Sequence, residues 1–189
     1  METSSWRNST SIYIHTKTMS LTSANTEQFE NSNKKYATTI ITDAEKKLSI
    51  PPAKKYVIIT CMDARIDPAK AFGVTLGDAH IIRNAGGSAR DALRSLIISQ
   101  QLLGTEQVIV VKHTKCGMLA FTNEDLFEKL GVQSQTEEKT LPCDFLPFKD
   151  LNKAVKEDIE FLKAHKFVKS DAVSGYIYDV ESGRSEKVV

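Results

Sequence analysis

Cys61, His113 and Cys116 are the residues whose types and spacing point most directly to chemistry in this chain. Cys61 closes the β-branched run Tyr56-Val57-Ile58-Ile59-Thr60-Cys61. His113 closes a second run, Gln107-Val108-Ile109-Val110-Val111-Lys112-His113, and Cys116 follows three residues later. If the two runs are neighbouring strands of a parallel sheet, both ends reach the same edge and face one crevice. His113 and Cys116, three apart on a tight turn, can then point at one ion. Two sulfurs and one imidazole suit zinc, one ion per chain. Three protein ligands leave the fourth tetrahedral position to water, the pattern of catalytic rather than structural sites. His-x-x-Cys is common, however, and free cysteine is often simply buried, so spacing alone leaves that reading open. Cys143 lies in a Pro-broken loop with no histidine nearby and reads as a bystander.

Two further features flank these donors. Asp63 and Arg65 follow Cys61 just past the strand end. A carboxylate beside a guanidinium is held ionised and oriented, ready to accept a proton or a hydrogen bond from water on the metal, or to swing in as a fourth ligand. The competing reading is a surface ion pair of little consequence. Gly86-Gly87 follows the segment His80-Ile81-Ile82-Arg83. Two glycines let backbone approach a ligand closely and offer N–H donors, or simply make a turn into the next helix. A Gly-x-Gly-x-x-Gly dinucleotide fingerprint is absent.

The elements that must position these residues are legible from periodicity. Glu27 to Leu48 reads as a helix, with Phe29, Tyr36, Ile40, Ile41, Ala44 and Leu48 at three- and four-residue steps, ended by Pro51-Pro52. Tyr56–Cys61 and Gln107–His113 read as strands buried on both faces, and His80–Arg83 as a weaker strand. Asp91 to Leu103 reads as a helix stopped by Gly104, so strand, helix and strand imply a right-handed crossover and a parallel sheet. Asn123 is the expected N-cap of a helix ended by Gly131. Val132 to Asp150 reads as a long loop and Leu151 to Leu162 as a further helix. Ala172 to Val180 and Glu186 to Val189 read as strand around a turn at Ser182-Gly183. The fold class is therefore α/β: a mostly parallel central sheet of about four strands with a C-terminal edge strand, flanked by helices, plus an N-terminal helical arm.

Composition bounds the rest. With 189 residues, 41% apolar and 26% charged, the chain suits one globular domain, over 25–189. A net charge of +1 gives no reason to expect nucleic acid or an anionic membrane as partner. No apolar run is long enough to span a bilayer. Three cysteines exclude a disulfide scaffold. Residues 1–24 are rich in Ser and Thr, with Glu2 the one acidic residue and Arg7 the one arginine. They read as a disordered tail of a cytoplasmic protein, the alternative being a mitochondrial transit peptide, and Met19 is a second possible start.

Taken together, Cys61-Met62-Asp63-Ala64-Arg65, Arg83-Asn84-Ala85-Gly86-Gly87 and His113-Thr114-Lys115-Cys116-Gly117, in this order, resemble the β-class carbonic anhydrases. Gly77-Asp78-Ala79-His80 and the Leu103-Gly104-Thr105 step resemble the short, minimal branch of that family, which also includes carbonyl sulfide hydrolases and, more distantly, carbon disulfide hydrolases. The resemblance covers about residues 35 to 181. It implies zinc ligation by Cys61, His113 and Cys116, an Asp63–Arg65 dyad, and a substrate site lined by Gly86, Gly87 and Gly117. It also implies a homodimer or dimer of dimers with clefts at the subunit interface. The implied activity is reversible hydration of carbon dioxide to bicarbonate and a proton by zinc-bound hydroxide. The alternatives are carbonyl sulfide hydrolysis at the same site and a non-catalytic zinc-binding module. Lys115 stands where many relatives of the branch carry Asp and is expected to alter only the rim charge.

Overall fold

The structure, a computed structural model, describes residues 24–132, 139–142 and 144–189. The readings made for the tail before residue 24, for Met19 and for Cys143 fall outside the described residues. The chain divides into two units, one ending at Leu48 and one running from Ser49 to Val189.

In the first unit, residues 24–35 are helical (α1), and Tyr36–Ile40 continues as one wider turn closed by Ile41 N donating to Tyr36 O at 2.9 Å. The helix therefore stops well short of Leu48, although the apolar spacing continues. The cause is a capping box in Thr42-Asp43-Ala44-Glu45. Thr42 N donates to Glu45 Oε2 at 2.7 Å and Glu45 N to Thr42 Oγ1 at 3.2 Å, which starts the separate turn Glu45–Lys47.

The second unit is a five-stranded sheet in the order β2-β1-β3-β4-β5, formed by β1 (Tyr56–Cys61), β2 (Ala79–Asn84), β3 (Gln107–His113), β4 (Ala172–Tyr178) and β5 (Ser185–Lys187). The first four strands are parallel, and β5 returns antiparallel on β4. The chain leaves β1 to one side for β2, then crosses to the other side for β3. The C-terminal ends of β1 and β3 thus flank the point where the strand order reverses.

Val57, Ile59, Val108 and Val110 pack with Ala92 and Leu96 of α3 (Ala89–Gln101) and Val155, Ile159 and Leu162 of α5 (Leu151–Ala164) into the main core. Each fully buried aliphatic side chain there contributes roughly 1.5–3 kcal/mol. A short helix not anticipated from periodicity, α2 (Pro68–Phe72), follows β1. Its signal is chemical: Asp67 caps it by accepting from Ala69 N and Lys70 N, and Pro68 occupies the first turn where no N–H is missed. The cap of α4 (Asn123–Leu130) is Thr122 rather than Asn123. Thr122 exchanges hydrogen bonds with Asp125, while the Asn123 amide ties the following loop by donating to Asp144 Oδ1 at 2.9 Å and accepting from Phe145 N at 3.0 Å. No helix among the described residues is long and apolar enough to cross a membrane.

Candidate metal centre

The parallel register brings Cys61 and His113 to one edge, and the turn after β3 returns Cys116 beside them. The three side chains are buried and their donor atoms lie within 4.8 Å of one another. The Cys61 and Cys116 sulfurs are 4.0 Å apart. Two sulfurs each ~2.3 Å from a tetrahedral zinc stand ~3.8 Å apart, so the spacing fits the ion without rearrangement. His113 is fully buried and its Nε2 has no hydrogen-bond partner. A buried imidazole nitrogen left unpaired is costly unless something else takes its lone pair. Its Nδ1 lies 2.9 Å from Thr114 O. The carbonyl can only accept, so Nδ1 carries the proton and the Nε2 lone pair is left free beside the two sulfurs, where a cation could take it.

The donors are electrostatically primed for a cation. The Cys116 thiol hydrogen-bonds to Cys61, which pushes Cys61 well below the usual thiol range and Cys116 well above it. A cation that bound both sulfurs as thiolates would displace any proton held between them. Burial pulls His113 toward neutral, but the adjacent Cys61 sulfur, the Thr114 carbonyl and Asp63 together raise its pKa above the ordinary value.

Asp63 and Arg65 form a bidentate pair: Arg65 Nε donates to Asp63 Oδ1 at 3.0 Å and Nη2 to Oδ2 at 2.7 Å. Arg65 N also donates to Oδ1 at 2.9 Å, and Nη2 donates to Lys115 O at 3.0 Å, fixing the guanidinium on the turn that carries Cys116. The guanidinium holds the Asp63 carboxyl far below the usual carboxylate range. Asp63 Oδ2 lies 3.7 Å from His113 Nε2, so the carboxylate stands beside the sulfur–nitrogen cluster without joining it. The geometry differs from that of a loose surface ion pair.

The glycines occupy different places. Gly86 and Gly87 are buried with φ of +71° and +60°, in the left-handed region where a side chain is strained. A Cβ on Gly87 would stand 3.0 Å from Thr60 C and 3.1 Å from Cys61 N, and one on Gly86 would stand 2.8 Å from Met118 Cγ. Close packing against β1 thus already requires glycine at 87, whatever else it does. Gly117 is exposed, with open space where a Cβ would be. Lys115 adopts φ of +54°, which turns its carbonyl to Arg65, and its ammonium pairs with Glu181 at the rim.

Three contributors were not singled out from the sequence. Arg83 donates to Cys61 O at 3.0 Å and to Asp63 O at 2.7 Å, bracing the backbone that carries Cys61 and the Asp63–Arg65 pair. Lys112, only 3% exposed, pairs with Asp158 of α5 at 2.8 Å. The available signal was a lysine inside a run otherwise read as buried, since a buried charge requires a partner.

The chain is similar to known proteins over most of its length. A family model described as carbonic anhydrase matches residues 56–185. Beta-carbonic anhydrase 1 of Mycobacterium tuberculosis is 39% identical over 144 residues, covering 75% of this chain and 86% of that protein. The carbon disulfide hydrolase of an Acidianus species is 35% identical over 162 residues, covering 73% and 79%. Among solved structures, the carbonic anhydrase from Glaciozyma antarctica is 43% identical, with a TM-score of 0.71 over 82% of this chain and 99% of that one.

Proposed function

The chain belongs to the β-class carbonic anhydrase family, and on that premise we propose that it interconverts carbon dioxide and bicarbonate at one zinc ion held by Cys61, His113 and Cys116. The observation that carries this reading is the fully buried His113 Nε2, unpaired and clustered with two sulfurs at tetrahedral spacing. Zinc held by this set would supply Lewis acidity and lower the pKa of a water bound to it, an effect that in carbonic anhydrases with three histidine ligands takes water from about 15.7 toward ~7.

The chain's own groups do the rest. Thr114 O fixes the His113 tautomer so that Nε2 is a donor to the metal. Asp63, kept ionised by Arg65, accepts a hydrogen bond from the attacking water and aims its lone pair at the carbon of the substrate. Gly117, with open space beside it, and the buried Gly86-Gly87 segment are the residues proposed to line the approach. Only three donors cluster among the described residues, which favours a catalytic centre with an open position over a closed zinc module. The unit holding these residues is proposed to act as the catalytic domain.

Metal analysis of the purified chain, with stopped-flow hydration of carbon dioxide, tests the reading. One zinc per chain and rapid hydration are expected; a zinc-loaded protein without hydration activity would sink it. The similarity to a carbon disulfide hydrolase favours a second reading, hydrolysis of carbonyl sulfide to hydrogen sulfide and carbon dioxide. The two gases assayed side by side decide between them.

We further propose a homodimer or dimer of dimers. Phe29 and Ile40 on the N-terminal helix are 71% and 53% exposed and offer apolar surface to bury, and a cleft at a sheet edge is better closed to water by a second subunit. Light scattering at low micromolar protein is expected to give a dimer or larger. A monomer with undiminished hydration activity would contradict the shared cleft.

A further inference from the structure

Lys112 has no part in the ligand set or the dyad, yet it is the most deeply buried ammonium of the described residues, adjacent in sequence to His113. Valines 108 and 110 face the core formed with α3 and α5, and strand alternation carries Lys112 to that same face. Its ammonium has three hydrogens and three acceptors: Asp158 Oδ2 at 2.8 Å, Gly86 O at 3.1 Å and Gly87 O at 3.4 Å. Asp158 Oδ2 is in turn anchored by Ala89 N, at 3.1 Å, in the first turn of α3. Lys112 also lies 4.9 Å over the Phe148 ring. A lysine spent in this way has no freedom left for solvent or substrate.

What it holds is the segment in contact with Cys61. Gly87 sits against the Thr60–Cys61 peptide so closely that a Cβ would be 3.1 Å from Cys61 N. Gly86 is buried against Met118, which packs with Cys61 and Cys116 in one cluster. Helix α5, through Asp158 and Lys112, therefore reaches a metal donor by way of two glycine carbonyls.

We propose that Lys112 is a positioning residue for the metal centre: clamped by Asp158, it pins the Gly86 and Gly87 carbonyls and so fixes where the Cys61 sulfur stands. The inference rests on the zinc reading given above and adds a residue pair outside it. Groups that orient metal ligands typically contribute 10–100-fold to metal affinity or activity.

The test uses the full chain loaded with cobalt(II) in place of zinc, and zinc affinity measured by chelator competition. Lys112→Met is expected to remain folded by circular dichroism, to shift the sulfur-to-cobalt charge-transfer bands, and to weaken zinc binding about 10–100-fold. Lys112→Arg, which keeps a donor cation, is expected to recover most of both. The double variant Lys112→Met/Asp158→Leu removes both buried charges and so avoids an unpaired carboxylate. It is expected to fold even if Lys112→Met does not, and to keep the altered cobalt spectrum. A purely structural pair would lower the unfolding temperature and leave spectrum and affinity alone. A folded Lys112→Met or double variant with wild-type bands and wild-type zinc affinity therefore overturns the proposal. Failure of the underlying reading looks different: the wild-type chain would then show no sulfur-to-cobalt bands.

Discussion

Asp63–Arg65 and Lys112–Asp158 are both carboxylate–cation pairs near the ends of β1 and β3, but their surroundings differ. Arg65 is 52% exposed and Asp63 16%, whereas Lys112 is 3% and Asp158 9% exposed. The first pair is made within three residues of one loop. The second joins a strand to a helix 46 positions away in number, from Lys112 to Asp158. The dyad leaves a carboxylate edge beside the donor cluster, 3.7 Å from His113 Nε2, so it has capacity to spare for water. The buried pair has none: every hydrogen of the ammonium is committed to protein. One kind of interaction thus serves two purposes according to burial. In the proposed mechanism the partly exposed pair orients a reactive oxygen, whereas the desolvated pair fixes backbone at a cost that only full satisfaction offsets.

Several changes would break or sharpen that contrast. The largest effect is expected from removing what both pairs surround. Cys61→Ser and His113→Ala should lose zinc and bring hydration to background, read by metal analysis and stopped flow; full zinc in both variants would remove the site as drawn. Next come the dyad variants Asp63→Asn and Arg65→Ala. These should keep one zinc per chain and lose hydration activity by roughly 10²–10⁴-fold, with the urea midpoint little moved. Wild-type rates would make this pair as structural as the other.

Asp158→Ala should do the reverse in emphasis. It strands a buried ammonium and is expected to lower unfolding stability by about 3–5 kcal/mol in urea titration, a cost the dyad variants should not show. Gly87→Ala tests the segment between the two pairs. Its φ of +60° and the close Thr60 backbone predict a loss of roughly 1–3 kcal/mol, and a neutral result would show that the segment relaxes freely. The smallest effect is expected from a chain beginning at Met19, which retains both pairs and every ligand. It should match the full chain in stability and activity, and a large loss would give the first residues a structural role.

Much of this arrangement was legible in the sequence because it is local or periodic. Strand runs ending at Cys61 and His113, the helix stripes around Leu96 and Ile159, and the parallel order all follow from apolar spacing. Boundaries set by side-chain chemistry rather than periodicity were read less well. The helix after residue 24 stops at the Thr42–Glu45 capping box, α2 begins on Asp67-Pro68, and α4 is capped by Thr122 instead of Asn123. In each case a hydroxyl or carboxylate competes for backbone N–H groups, and a count of apolar positions does not register that competition.

The sequence by itself determined the donor types, their placement at strand ends, and the adjacency of Asp63 to Arg65, because each is a matter of neighbours along the chain. Only the tertiary structure decided that the two sulfurs stand 4.0 Å apart, that His113 Nε2 is left unpaired, and that Arg83 braces the loop from β2. It alone decided that Lys112 finds its counterion on α5. A buried charge announces that it needs a partner, but the partner is chosen by how helix and sheet pack, and that choice is made by residues far apart in sequence.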